Sequence, residues 1–154
     1  MRIGIVAHIT QDNVLKTVEK IFHYLSDEEV VLAEEIGKEL GKEGIPIDKM
    51  DVDSIITVGG DGTVLYTVQR KPETPVLGIN MGKRGFLADV KPEEAIEAAD
   101  KIKNNQLSVE ERERISVEIS GEKLGDALNE GVMRSHAPSQ LLSFRINIDG
   151  MEAE

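Results

Sequence analysis

The β-branched run Ile55-Ile56-Thr57-Val58 passes directly into Gly59-Gly60-Asp61-Gly62-Thr63. A strand must end here in a tight glycine-rich turn, and what leaves the turn divides the available folds. Asp-Gly between β-branched runs is a hairpin signal, and Thr63-Val64-Leu65-Tyr66-Thr67-Val68 suits a second strand. The other reading has a short helix leaving the turn, capped by Asp61 or Thr63, with Val64, Leu65 and Val68 on one side. Its bare N–H groups can cradle phosphate oxygens, because three glycines let the backbone approach a bulky anion and open φ > 0. An aspartate inside such a cradle repels the ligand, so it needs a role that outweighs the repulsion. It can hold a metal, take a proton or cap a helix. The segment is neither a Walker A loop, which ends in Gly-Lys-Ser/Thr, nor a dinucleotide G-x-G-x-x-G turn.

The rest of the chain favours alternating strands and helices. Ile3-Gly4-Ile5-Val6-Ala7 is a continuous apolar run, as in a strand buried on both faces. Val14, Leu15, Val18, Ile21, Phe22 and Leu25 follow at helical spacing. Val30 to Ala33 reads as a strand, Ile36 and Leu40 as a short helix ending near Gly41 and Gly44, and Pro75 to Ile79 as another strand. Pro92 opens a helix with Glu93 and Glu94 in its first turn and Lys101 and Lys103 near its end, matching the helix dipole. This pattern predicts an α/β, Rossmann-like, doubly wound parallel sheet over residues 1–105. From 106 to 154 the grammar changes. Ile115, Val117 and Ile119 alternate with polar residues, as do Leu142, Phe144, Ile146 and Ile148, which predicts half-buried antiparallel strands. They read as the first strands of an incomplete β-sandwich.

A net charge of −11 on 154 residues argues against nucleic acid and anionic membranes as partners. It does not argue against a nucleotide, because exposed charges are screened beyond ~8 Å at physiological salt. With no cysteine, disulfides, thiolate catalysis and Cys-ligated zinc are excluded. The opening apolar run is too short for a signal peptide and no stretch could span a bilayer, so a cytoplasmic protein is expected.

Two further segments can carry chemistry. Gly78-Ile79-Asn80-Met81-Gly82-Lys83-Arg84-Gly85-Phe86-Leu87 follows the fourth strand. Ligands of open α/β sheets bind beyond the carboxyl ends of the strands, so both glycine turns can face one crevice. Lys83 and Arg84 can neutralise phosphate there and Phe86 can contact a base; the alternative is a surface loop with two solvated cations and a core phenylalanine. In Asp126-Ala127-Leu128-Asn129-Glu130-Gly131, Asn129 and Glu130 can accept hydrogen bonds from ribose hydroxyls, or they form a plain polar turn. His23 reads as structural, whereas His8, just past the first strand, can border the crevice. Arg112, Arg114 and Arg134 read as a solvated face.

In order, these three segments resemble the hallmarks of the NAD kinase family: Gly59 to Thr63 its Gly-Gly-Asp-Gly-Thr turn, Gly78 to Leu87 its Gly-x-Asn-x-Gly-x-x-Gly-Phe-Leu loop, and Asn129-Glu130 its Asn-Glu motif. Ile3 to His8 is similar to the family's first strand. The first motif alone is shared with phosphofructokinases and with diacylglycerol and sphingosine kinases. The resemblance implies transfer of a phosphoryl group from ATP, or from inorganic polyphosphate, to the 2′-hydroxyl of the adenosine ribose of NAD, giving NADP, with a divalent metal, Mg²⁺ by expectation, whose ligands are unknown. It implies Asp61 as general base and Gly59, Gly60, Gly62 and Thr63 as the phosphate cradle. Asn80, Lys83 and Arg84 join the nucleotide site, Phe86 lines the adenine pocket, and Asn129 and Glu130 hold NAD. It also implies homodimers or homotetramers.

Arg84 departs from the family pattern, where an apolar residue is common, and Gly131 stands where a β-branched residue is usual. The pattern also runs on past Glu154, through Gly-x-Thr-x-Tyr and Ser-Ala-Gly-Gly segments. The expectation is therefore a shortened NAD kinase chain that is inactive alone. The alternatives are a non-catalytic nucleotide-binding module, or a lipid or sugar kinase sharing only the first motif.

Overall fold

The computed structural model describes residues 1–9, 12–82, 85–137 and 140–153. Four strands, β1 (Arg2–Ala7), β2 (Glu29–Leu32), β3 (Ser54–Gly59) and β4 (Val76–Asn80), form one parallel sheet in the order β2-β1-β3-β4. Strands β1 and β3 are the central pair. Each is buried along nearly its whole length, which is why their sequences are continuous apolar runs rather than alternating ones. The helices α1 (Asp12–Tyr24), α2 (Glu34–Glu39), α3 (Asp61–Arg70) and α4 (Ala95–Lys103) fill the connections.

Val14, Val18, Ile21 and Leu25 of the α1 region are buried, while His23, beside this stripe, is exposed. Lys42 lies over the Phe22 ring, 4.7 Å from its centroid. Helix α1 packs against α4, whose Ala95, Ala99 and Ile102 join the core. Tyr24 donates a hydrogen bond to Asp100 across this contact (2.6 Å), and Lys103 pairs with Asp27. Helix α2 stops at Leu40 and Gly41 follows with φ 62°, the left-handed residue that commonly ends a helix. Pro92–Glu94 forms a 3-10 turn that leads into α4.

Strand order fixes where a ligand can sit. From β1 the chain crosses to β2 on one side, then returns past β1 to β3 on the other. The direction of winding therefore reverses between β1 and β3, the point where doubly wound sheets open a crevice.

The later residues form two antiparallel hairpins. Strand β5 (Ile115–Ile119) pairs with β6 (Glu122–Ala127), and β7 (Asn147–Ile148) pairs with β8 (Met151–Glu152). The first turns at Ser120-Gly121 (φ 52° and 85°), the second at Asp149-Gly150 (φ 51° and 82°). Both are two-residue turns with positive φ at both positions. Two expectations need correction. Of Leu142 to Ile148 only Asn147–Ile148 is strand. The alternating residues are also not half-buried: Ile115, Ile119, Phe144, Ile146 and Ile148 are all more than half exposed. Among the described residues no second layer covers them, so alternation alone buries no face.

Candidate functional site

The glycine turn joins a strand to a helix, which overturns the hairpin alternative. Gly60 is the N-cap of α3 with extended backbone (φ −117°, ψ −170°), and Thr63 N–H donates to Gly60 O (2.9 Å). Neither Asp61 nor Thr63 caps the helix; both lie in its first turn, where the negative charge of Asp61 suits the dipole. Thr63, Val64 and Thr67 are buried. None of Gly59, Gly60 or Gly62 uses the left-handed region. Their absent side chains serve proximity instead, in two ways. A Cβ on Gly59 would come within 2.2 Å of Thr63 Oγ1, so Gly59 is glycine because of the protein itself. At Gly60 and Gly62 a Cβ would meet nothing within 4 Å. These two leave the uncapped N–H groups of the helix end open to an anion.

The Asp61 side chain turns to the second glycine segment. Its Oδ2 accepts the N–H of Phe86 (2.8 Å), and its Oδ1 accepts those of Leu87 (3.0 Å) and Ala88 (2.9 Å). Hydrogen bonds to the charged form favour ionisation. The Phe86 and Ala88 N–H groups, helped by that of Leu87 and opposed by partial burial, hold the carboxyl below its ordinary range. Close packing forces the loop against this carboxylate. A Cβ on Gly78 would lie 2.7 Å from Ala88 Cα, and one on Gly85 would lie 2.2 Å from Ala88 O and 2.7 Å from Asp61 Oδ1. Asn80 Oδ1 accepts the Gly82 N–H (2.8 Å) and shapes the start of the loop. Phe86 is 93% exposed, so it is not a core phenylalanine. We expect Gly85→Ala to push the loop off Asp61 and to weaken nucleotide binding by tenfold or more, since overpacking costs about 1–3 kcal/mol. Titration calorimetry checks this, and unchanged affinity would show that the loop does not shape the site.

The crevice is divided into two clefts that meet at the first turn of α3. One, of about 520 Å³, has Asp61, Leu65 and Phe86 on one side and Glu110 to Glu113, Leu128 and Asn129 on the other. The second, of about 730 Å³, opens at the β1–β3 reversal between His8, Gly60, Gly62 and Thr63 and the residues Ala33 and Pro46 to Asp48. Residues of both glycine segments therefore share the first cleft, while Gly60 and Gly62 face the second. The Asp61 carboxylate and Phe86 line the first cleft, and the glycine backbone lines the second. Asp61, Phe86 and Asn129, one residue from each motif, come together. Asn129 Nδ2 contacts Glu130 Oε2 at 3.3 Å, but Glu130 is exposed and does not line the cleft. Lys83 and Arg84 lie outside the described residues. Among the described residues no three His, Asp or Glu side chains gather as a metal site.

Three participants carry no motif that marks them in the sequence. Arg112, expected on a solvated face, lines the first cleft and pairs with Glu110 (3.1 Å). Tyr66 and Arg70 line the second, with the Arg70 guanidinium 3.5 Å from the Tyr66 ring centroid. Their spacing along α3 is the one available signal. Arg114 is held elsewhere, by Glu73 and Pro72 O.

Residues 3–107 match the family model described as the ATP-NAD kinase N-terminal domain. Over 159 aligned residues the chain is 40% identical to a protein named NAD kinase from Methanoculleus marisnigri, covering 100% of this chain and 58% of that protein. It is 36% identical to the NAD kinase of Methanosarcina barkeri, covering 99% of this chain and 59% of that protein. The chain therefore spans somewhat more than half the length of these relatives. The crystal structure of yeast NADH kinase complexed with NADH superposes with a TM-score of 0.69 at 18% identity, over 84% of this chain and 47% of that one, which shows a common fold.

Proposed function

The chain belongs to the NAD kinase family, and on that premise we propose that it takes part in phosphoryl transfer from ATP or inorganic polyphosphate to the 2′-hydroxyl of the adenosine ribose of NAD, giving NADP. The observation that carries the reading is the convergence of Asp61, Phe86 and Asn129 on one cleft, with the open glycine backbone on the other side of the same helical turn. NAD occupies the first cleft, with adenine against Phe86 and its polar groups on Asn129, while Glu130, outside the cleft, serves NAD through its contact with Asn129. The donor phosphates lie on the N–H groups at Gly60 and Gly62, beside Thr63, and Asn80, Lys83 and Arg84 are assigned to nucleotide binding from the family motif alone. Gly59 supports the cradle through Thr63. A lipid or sugar kinase is disfavoured because the family match embraces both glycine segments.

A carboxylate offers about four lone-pair sites, and three are taken by the loop. Oδ2, which accepts only the Phe86 N–H, keeps room for the ribose hydroxyl. In the transfer the 2′-oxygen bonds to phosphorus, the bond to the donor's leaving oxygen breaks, and the hydroxyl proton passes to Oδ2. Phosphoryl transfer asks mainly for position and charge neutralisation, so a weak base that is always ionised at neutral pH suffices. The described residues do not build a metal cage. A magnesium ion would arrive on the donor phosphates, keeping most of its water.

Amide shifts of the ¹⁵N-labelled chain titrated separately with NAD and with ATP test the reading. NAD should move Phe86 and Asn129, and ATP should move Gly60 and Gly62. If neither ligand moves either set, the reading fails.

We divide the chain at 105/106 and place the protein in the cytoplasm, with nucleotides as its small-molecule partners. Among the described residues no helix is long and apolar enough to cross a membrane. Homo-oligomers, dimers or tetramers, are supported by the exposed apolar side chains of the hairpins, Ile115, Ile119 and Leu124 on β5 and β6 and Ile148 on β7. Light scattering should report a mass at least twice that of the chain, and a clean monomer would exclude this.

A further inference from the structure

We propose that Asp61 is a positioning residue as well as a base: it is the latch that fixes the segment Phe86-Leu87-Ala88 and thereby presents Phe86 to the first cleft. The proposal rests on that cleft being the nucleotide site and says how the site is built. Three consecutive backbone N–H groups converge on one carboxylate. That is the geometry of an anion-binding nest, filled here by the protein's own side chain. The segment belongs to no strand or helix. Beyond it the chain is retied to β4, where Val90 N–H donates to Gly78 O (3.2 Å) and Asn80 N–H to Val90 O (2.8 Å). Ala88 is buried against Gly78. Phe86 has no such support from its ring, since the residue is 93% exposed, so its backbone alone decides where the ring stands. That backbone is held by Asp61.

The first cleft is rich in acidic side chains. Glu110, Glu111 and Glu113 face the same space, with Arg112 as the cation among them. The three N–H groups favour the ionised Asp61 carboxylate against its partial burial. Recognition of the base and acceptance of the proton are thus tied to one side chain.

The test compares the wild-type chain with Asp61→Ala, Asp61→Asn, Phe86→Ala and the double variant Asp61→Ala/Phe86→Ala. Amide hydrogen exchange is read by NMR, with Ile56 and Val58 of β3 as fold controls. In Asp61→Ala the amides of residues 86–88 should lose tenfold or more of their protection while the controls keep theirs. Asp61→Asn, which retains one acceptor oxygen, should fall between. Phe86→Ala should leave the amides of Leu87 and Ala88 protected. For NAD affinity the two single variants should each weaken binding and the double variant should be no weaker than the worse of them, because the residues act through one contact. Wild-type protection of 86–88 in Asp61→Ala, or losses of affinity that simply multiply, overturns the latch. If the wild-type chain fails to bind NAD, the nucleotide-site reading falls, and the exchange data still decide the latch by themselves.

Discussion

In an enzyme carrying the full family sequence, Asp61→Asn is expected to lower the rate of NAD phosphorylation by about 10²–10⁴, the range for loss of a general base. The amide cannot take the 2′-hydroxyl proton. It also turns an NH₂ group toward N–H groups that the carboxylate accepts at 2.8–3.0 Å. The pH profile separates these effects. The N–H groups of Phe86, Ala88 and Leu87 lower the Asp61 pKa, so the carboxylate is ionised throughout the neutral range. Its acid limb falls below the ordinary carboxylate range. The sign for stability follows from the same shift. A carboxyl whose folded pKa is depressed contributes stability above its unfolded pKa, and that stability is lost as pH falls through the folded value. The wild type should therefore lose activity and loop protection together at low pH, and Asp61→Asn should show neither transition. Steady-state kinetics across pH, with amide exchange beside them, measure both, and a variant within a factor of a few of wild type at neutral pH removes Asp61 as the base.

Gly60→Val and Gly62→Val are expected to abolish nucleotide binding while leaving the fold intact. Apart from the chain neighbours and the helix's own backbone, nothing lies within 4 Å of a Cβ at either position, so the branched side chain enters open space that phosphate oxygens would fill. Gly59→Val is the contrasting case. Its Cβ would strike Thr63 Oγ1, and the change should lower Tm because the clash lies inside the protein. Calorimetric titration with ATP beside thermal unfolding distinguishes the three. Unchanged affinity in both Gly60→Val and Gly62→Val would show that the open space at the turn is not a ligand site.

Much of the parallel sheet is legible because burial on both faces demands apolar residues at consecutive positions, and β1 and β3 supply them. The Asp-Gly pair is less transparent. At 149–150 it makes a hairpin with both φ values positive, whereas at 61–62 it begins a helix. The difference lies in what the following residues can bury: Thr63, Val64 and Thr67 recur on one helical face over the sheet, and Thr67 donates to Thr63 O (2.8 Å). The alternation in Leu142 to Ile148 misleads for the opposite reason, since a period of two forms a strand only where a partner and a covering layer exist. Of the candidate site, Asp61, Phe86 and Asn129 are visible as motif residues, and their meeting is not. The division into two clefts follows from the strand order and from the Asp61 carboxylate turning toward the loop, and neither has a local signature. Arg112 is hidden for the same reason, because a cation inside an acidic run looks the same whether it faces solvent or a cleft.

The first turn of α3 is a party wall, with one cleft on each side of it and, in the proposed function, one nucleotide for each. A single compound joining an adenosine 2′-oxygen to a second nucleotide through a short polyphosphate could straddle that wall and occupy both clefts. Its second half would bind at the millimolar effective concentration a short tether provides. Such a bridging inhibitor would gain most of its affinity from linkage, and bulk at residue 60 or 62, where the bridge must cross, would exclude it.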